Sequence, residues 1–418
     1  MVFDAHGHPS RVLRVDEAFP VAPLGPEDVL VRFTASPVNP SDLNVVEGTY
    51  PLRPRAFPAV GGGEGVGEVV RFGARVDRRS LAGGDEETNA FADEDENGDA
   101  PIKVVPDVPF LGTWREFAVF PAASLRRVPA RVPDELAAQM CVNLPTALRM
   151  LQDFADLGVD FEAAPNRERG EKTAATATEN QKKTVVLNAP TSAVGRAAAQ
   201  MCAARDVPVV CSLRARDTEG AWERDAAELR ALGASLVVRD GVGNENGFRT
   251  RAASDFFQSA PPAVLALNGV GGASSAAMAG ALAAAGVMVT YGGMARAPAH
   301  VPTGAAIFKN ITASGFWLTR WSEAARRADA ERSSVASDEN DSGEISPESS
   351  TPERRLGAND ENALRGARAR MFRALVGMVD RRELAMPTRA VGFGGFLDAL
   401  EARQGKVGAG KTALWTST

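Results

Sequence analysis

The stretch "TVVLNAPTSAVGRAAAQ", residues 184–200, sets the reading of the whole chain. A short apolar run, a turn of small residues and a helix-like segment follow one another. In that segment Val194, Ala197, Ala198, Met201 and Cys202 fall at i, i+3, i+4, i+7 and i+8, one face of a helix. A helix start placed after a strand offers free N–H groups and a positive dipole end to a pyrophosphate. The turn departs from G-x-G-x-x-G: Gly195 is its only glycine, and Ala193 stands where another is expected. Taken alone it fits a plain strand–helix connection equally well. Its place strengthens the nucleotide reading, because it opens a series of six β-rich runs, "TVVLN", "PVVCSL", "SLVVRD", "AVLALN", "VMVTYG" and "ITASGFW". Most are separated by Ala-rich helical segments, which predicts an α/β fold with a doubly wound, six-stranded parallel Rossmann sheet.

Outward from that core the pattern changes. Residues 1–130 offer "VLVRF", "VGEVVRF" and "REFAVF", broken by Pro and Gly, and read as a β-rich domain. A helical stretch, 134–157, carries the chain between the two, and from about 386 the sequence turns Gly-rich and strand-like again. The expected division is 1–148 with 386–418 for the first domain and 149–385 for the nucleotide domain. Residues 77–107, 160–183 and 323–360 read as polar, disordered inserts, poor in the apolar surface that would offset their ordering entropy. A docking or phosphorylation role is the functional alternative for them.

With 418 residues the chain is long enough for two buried cores, and 44% hydrophobic with 24% charged residues is a globular composition. No apolar run reaches membrane-spanning length, so no membrane partner is expected. The net charge of −6 is local: residues 83–100 carry eight acids and no base, leaving the remainder near +2. Nothing in that balance calls for nucleic acid. Cys141, Cys202 and Cys211 have neither metal-like nor disulfide-like spacing, which suits a reducing compartment. The start, "MVFDAHGHPSRVLRV", shows neither a signal-peptide core nor an Arg- and Ser-rich leader. Either the mature chain stays where it is made or a leader is missing from this sequence, which leaves cytoplasm and organelle both open.

The second strand ends in "CSLRARD", 211–217. An acid near this point binds a ribose 2′-hydroxyl, whereas arginine accommodates a 2′-phosphate. Arg214 and Arg216 therefore favour NADPH, the alternative being two solvated arginines, and Asp217 is the weaker candidate for an NAD-type contact. His6, His8 and His300, the three histidines, lie in no zinc-binding pattern, and no G-x-S-x-G elbow is present. A zinc-free nicotinamide enzyme points to reduction of an activated double bond. Tyr50 is one of only two tyrosines, and a phenol keeps its proton near neutrality and can donate it. Tyr50 otherwise packs as an amphipathic residue at a domain edge. The other, Tyr291, stands at the carboxyl end of a strand, where ligands bind, or needs only a partner for its hydroxyl. Phe316, Trp317 and Leu318 wall a nicotinamide pocket, pack the sixth strand, or both. Glu64, among glycines, orients backbone rather than reacting.

Several stretches carry a resemblance: "SPVNPSDLNVVEGTY" (36–50), "PAVGGGEGVGEVV" (58–70), "CVNLPTALRMLQDF" (141–154), "VVLNAPTSAVG", "LALNGVGG", "VMVTYGGMA", "IFKNITASGFWLTRW" (307–321) and "ALEARQGKVGAGK" (399–411). Together they resemble the zinc-free medium-chain dehydrogenase/reductases, and within them the mitochondrial 2-enoyl thioester reductases. "NPSD" and the glycine run are shared with quinone reductases, whereas "YGGMA" followed by "GFWLTRW" is more particular. The resemblance implies a GroES-like first domain, a homodimer and a mitochondrial setting. It implies NADPH-dependent reduction of enoyl-CoA or enoyl-acyl carrier protein, with hydride to Cβ and a proton to Cα from Tyr50. It also implies cofactor contacts from Asn143, Thr191, Ser192, Ala193, Val194, Arg214, Arg216, Tyr291, Gly292, Gly293, Met294, Phe316, Trp317, Leu318 and Lys411. This chain departs from the pattern at Gly63, Leu144, Ala193 and Ala215, where the family usually has asparagine, proline, glycine and an acid. The rival readings are a quinone or enone reductase of the same fold and a nucleotide-binding regulator without turnover.

Overall fold

A computed structural model describes residues 1–418 except 79–80, 82–100, 166–181, 242–245, 339–363, 399, 401–411 and 417–418. The first half is antiparallel. Strands β1 (Val2–Phe3), β2 (Leu13–Arg14), β3 (Asp28–Pro37), β4 (Ala59–Val60), β5 (Val66–Phe72), β6 (Ile102–Pro106), β7 (Phe117–Pro121) and β8 (Leu125–Arg127) form two sheets. β3 is the spine of the larger one. Its Val29, Val31, Phe33 and Ala35 are buried at period two, while Arg32 faces out and pairs with Glu68 directly opposite on β5, at 2.7 Å.

The second half is parallel: β9 (Thr184–Asn188), β10 (Val209–Arg214), β11 (Leu236–Asp240), β12 (Ala263–Asn268), β13 (Val287–Thr290) and β14 (Thr312–Gly315). Their order, β11-β10-β9-β12-β13-β14, reverses direction between β9 and β12, the place where such sheets hold their ligands. Every residue of β9 is buried, as expected of a central strand covered on both faces. Helices Asn143–Asp153 and Ala193–Ala203 share one apolar core, with Leu144, Leu148 and Leu151 in the same cluster as Ala197, Ala198 and Met201. Strands β15 (Thr388–Val391) and β16 (Thr412–Thr416) return to the antiparallel sheet, where β16 pairs with Ser36 and its neighbours at the end of β3. Among the described residues no helix is long and apolar enough to cross a membrane.

The supposed inserts are smaller than expected. Residues 102–106 are strand β6, with Ile102, Val104 and Val105 buried beside β5. Phe161 is fully buried, and Glu162 bonds Arg149 and, at 3.1 Å, Arg370. Residues 323–338 belong to the helix Leu318–Asp338, with Trp321, Ala325 and Ala328 buried at helical spacing. In each case charged neighbours outweighed a few apolar residues in the local composition, yet those few were enough to hold the segment. The remaining parts of the three segments lie largely outside the described residues. The stretch 134–157 is also not one helix. It breaks into Asp134–Ala137 and Asn143–Asp153 because the N–H groups of Val142 and Asn143 are given to Glu64.

Candidate active site

At the nucleotide end, Ser192 caps the helix Ala193–Ala203, its Oγ accepting from Gly195 N at 3.1 Å. Gly195 is required: a Cβ there would lie 2.5 Å from Ala189 O. Ala193 and Val194 turn their side chains into the core, so their possible contact with a phosphate is through backbone N–H alone. Beneath the turn lies a neutral polar network. Asn188 Nδ2 donates to Asn268 Oδ1 and to Ser274 Oγ, both at 2.9 Å, and Asn188 Oδ1 accepts from Gly269 N at 2.7 Å. Asn268 Nδ2 in turn donates to Thr290 Oγ1 at 3.1 Å. These bonds tie together the carboxyl ends of β9, β12 and β13, satisfying polar groups that would be costly to bury alone.

Tyr291 bridges the crevice. Its hydroxyl bonds Ser192 and lies so close to Gly269 that a Cβ there would come within 2.8 Å of it, and burial pushes its pKa up to about 12. Gly292 is half-buried and Gly293 and Met294 are exposed, with Met294 N donating back to Gly269 O at 3.1 Å. The arginine pair divides. Arg216 is held by Asp225, Nε to Oδ2 at 2.6 Å, and its Nη2 reaches Thr191 Oγ1 at 3.4 Å. No hydrogen bond or salt bridge holds the Arg214 guanidinium among the described residues, and burial together with Arg216 lowers its pKa. A half-buried cation at the end of β10, near Asp217 and Asp240 but bonded to neither among the described residues, suits an anionic group on the ligand.

At the other end the fully buried Glu64 is surrounded by donors. Oε1 accepts from Asn39 Nδ2 at 2.8 Å and from Asn143 Nδ2 at 2.6 Å, while Oε2 accepts from Val142 N at 2.7 Å and Asn143 N at 3.3 Å. Burial pushes its pKa up to about 8, with the neighbouring Asp42 adding to the rise and the bonds from Asn39, Val142 N and Asn143 N opposing it. Asn39 is itself fixed at the start of helix Pro40–Glu47, its N donating to Asp42 Oδ2 at 2.8 Å.

That helix ends at Gly48, in the left-handed region at φ 76°, and turns the chain so that Tyr50 faces the other domain. Trp317 Nε1 donates to the Tyr50 hydroxyl oxygen at 3.0 Å, and the ring of Phe110 packs on the Tyr50 ring at 5.2 Å between centroids. Because the indole N–H occupies an acceptor position on that oxygen, the phenolic hydrogen remains available to a ligand. Burial raises the Tyr50 pKa and the indole N–H opposes the rise. Glu47 and Arg296 add another bond between the two halves, at 3.0 Å.

Residues 25–130 match the family model of the alcohol dehydrogenase GroES-like domain. The mitochondrial enoyl-[acyl-carrier-protein] reductase of Xenopus tropicalis is 37% identical over 332 residues, 79% of this chain and 80% of that protein. The human protein of the same name is 36% identical over 322 residues, 77% of this chain and 72% of its own. The chain belongs to the mitochondrial enoyl-[acyl-carrier-protein] reductase family. Among solved structures, the Etr1p–NADP–crotonyl-CoA complex superposes with a TM-score of 0.66 at 23% identity, covering 100% of this chain and 98% of that one. A putative NADPH:quinone reductase from Bacillus thuringiensis gives 0.63 at 21% identity, covering 100% and 98%. At such identities the likeness is one of fold.

The residues expected at the cofactor do not all lie together. Thr191, Ser192, Arg214, Arg216 and Tyr291 converge on the crevice at the ends of β9, β10 and β13. Asn143, Phe316 and Leu318 do not face it in this way. The Asn143 amide nitrogen is spent on Glu64, Asn39 and Gln139, Phe316 packs edge-on against Phe154 at 5.8 Å, and Leu318 is buried in the main core. Trp317 stands beside Tyr50, its indole N–H on the phenol oxygen. Lys411 lies outside the described residues. Sequence reasoning missed the Asn188–Asn268 frame and Asp225. The first had a signal, since "TVVLN" and "AVLALN" both end in Asn. Asp225 had none, being one acid among several on a solvent-facing helix.

Proposed function

We propose that the chain reduces the 2,3 double bond of trans-2-enoyl thioesters, carried on coenzyme A or acyl carrier protein, at the expense of NADPH. The crevice residues suit that dinucleotide. The helix start at 193 would take the pyrophosphate, and Arg214, with Arg216 beside it, the 2′-phosphate. When bound, the reduced nicotinamide supplies the hydride that goes to Cβ. The chain's own residues then complete the addition. The electron pair of the double bond passes to Cα, and Cα takes the proton of the Tyr50 hydroxyl. Trp317 Nε1–H stabilises the phenolate oxygen left behind, which solvent reprotonates. Glu64 touches no reacting atom and serves as a positioning residue for Asn39 and the Val142–Asn143 turn.

The observation that carries this reading is the indole-held phenol of Tyr50 at the junction of the two halves, in a family whose relatives are named for enoyl-acyl carrier protein. Steady-state assays test it. Crotonyl-CoA with NADPH should turn over, and a quinone acceptor should be used far less well. Preference for the quinone, or cofactor binding without turnover of either, would overturn the reading.

We also read the working form as a homodimer. Among the described residues β14 is one of the two edges of the parallel sheet, and Ile307 and Phe308 beside it are 66% and 85% exposed. An unpaired edge flanked by apolar side chains favours pairing with a second copy about a two-fold axis. Sedimentation should give a dimer that Phe308→Glu weakens, and a wild-type monomer would refute it. The relatives' names support a mitochondrial location, which fractionation of expressing cells checks.

A further inference from the structure

Tyr50 is held by two rings, one from each half of the molecule. Trp317 stands edge-on to it, 6.3 Å between centroids at 82°, with its Nε1–H on the phenol oxygen. Phe110 lies against the ring itself, 5.2 Å between centroids and tilted by 46°. Both separations suit attractive ring contacts. The indole bond fixes one atom of the phenol but leaves the ring free to swing about it. A contact on the ring removes that freedom.

Phe110 reaches this place under strain. It lies in the loop between β6 and β7, and its backbone stands at φ 65°, in the left-handed region. Glycine enters that region freely, whereas a bulky side chain there is a rare exception. Such strain persists only where the surroundings hold it, and it gathers at functional sites. The core does not hold it: Phe110 is half-buried and belongs to none of the buried apolar clusters among the described residues. Nor does the backbone call for a side chain. Phe110 N donates to Gly63 O at 2.9 Å, a bond that glycine would make equally well. Gly63 completes the seat. A Cβ there would lie 3.1 Å from Phe110 Cε1 and 2.6 Å from Asp42 Oδ1, so the missing side chain lets the ring settle.

We infer that Phe110 is a positioning residue for the reaction: with Trp317 it clamps the Tyr50 ring, so that the hydroxyl meets the crevice in one orientation. The inference rests on the reading of Tyr50 as the acid. It accounts for a phenylalanine at a position where local conformational energy favours glycine. Misplacing a reacting group by about 1 Å costs much of its effect, so a ring that touches only the phenol still reaches the rate.

Phe110→Gly separates this role from a structural one, because it relieves the strained backbone while it removes the ring. The variant should melt no lower than the wild type. Its kcat with crotonyl-CoA and NADPH should nevertheless fall about tenfold, with KM and NADPH affinity within about twofold. Phe110→Tyr, which keeps the ring, should hold most of the rate. In a Tyr50→Phe background, Phe110→Gly should cost less than about twofold more, since the hydroxyl it positions is gone. The chain has only two tyrosines, so Cζ-labelled tyrosine gives one NMR line for each, and the line missing from Tyr50→Phe is that of Tyr50. That line should shift and broaden in Phe110→Gly while the Tyr291 line stays in place. An unchanged Tyr50 line, an unchanged kcat, or an equally large loss in the Tyr50→Phe background would each overturn the inference. A drop of several degrees in melting temperature would make Phe110 a structural residue instead. Absence of turnover in the wild type would fail the enoyl thioester reading alone, because the labelled tyrosine reports the clamp without substrate.

Discussion

The two walls of the crevice are built on different principles. The nucleotide wall is a backbone device: a helix start, a required glycine and a neutral Asn188–Asn268 frame that joins three strand ends. Its charge is concentrated in Arg214 and Arg216 at the rim. The catalytic wall is made of side chains. A buried carboxylate holds two asparagines and a broken helix in place, and an indole from one half grips a phenol from the other. Backbone frames tolerate substitution of the residues that display them, as Ala193 illustrates. Side-chain frames do not, because each bond depends on one residue's identity. Mutations should therefore separate the walls by what they disturb.

The sharpest separation is expected from Tyr50→Phe. It should lower turnover about 100-fold or more while leaving NADPH affinity nearly unchanged, as single-turnover and fluorescence-binding measurements would show. Equal losses in both would dissolve the distinction. From the opposite wall, Arg214→Ser should weaken NADPH roughly 10- to 100-fold and leave NADH untouched, with kcat preserved at saturation. A parallel loss for both cofactors would mean that Arg214 serves the fold rather than the 2′-phosphate. Glu64→Gln should give the smallest effect, a loss of about 1–3 kcal/mol of stability, since an amide NH₂ would then face donors. The variant also reports the sign of the buried charge. Folding raises the Glu64 pKa from 4.5 to about 8, so its contribution is whole below about 4.5 and is lost as pH climbs through 8. Urea unfolding of the wild type should accordingly weaken across that window, with the slope missing in Glu64→Gln.

Five of the six parallel strands were legible because each was a short Val- and Leu-rich run between polar turns, as a strand inside a covered sheet must be; β14, with the sequence TASG and mostly exposed, carried no such signal. Strand β6 was not legible, although Ile102, Val104 and Val105 are as buried as those runs. Its neighbours in sequence are acidic, and composition averages over neighbours in sequence rather than in space. Helix Leu318–Asp338 was misjudged for the same reason. Tyr50 stood out by rarity, and Arg214 and Arg216 by standing at a strand end. Trp317 was singled out, but its bond to Tyr50 was not legible, because the two lie 267 residues apart.

By itself, then, the sequence determined the succession of the strands of the parallel sheet and singled out the strand–helix turn after β9 and the phenol of Tyr50 as candidates, all of which follow from local periodicity and residue chemistry. Only the tertiary structure decided which buried groups answer one another. It set Trp317 on Tyr50 and four donors on Glu64. Those pairings are enforced by the cost of burying a polar group unsatisfied, a cost that appears only when distant segments exclude water together.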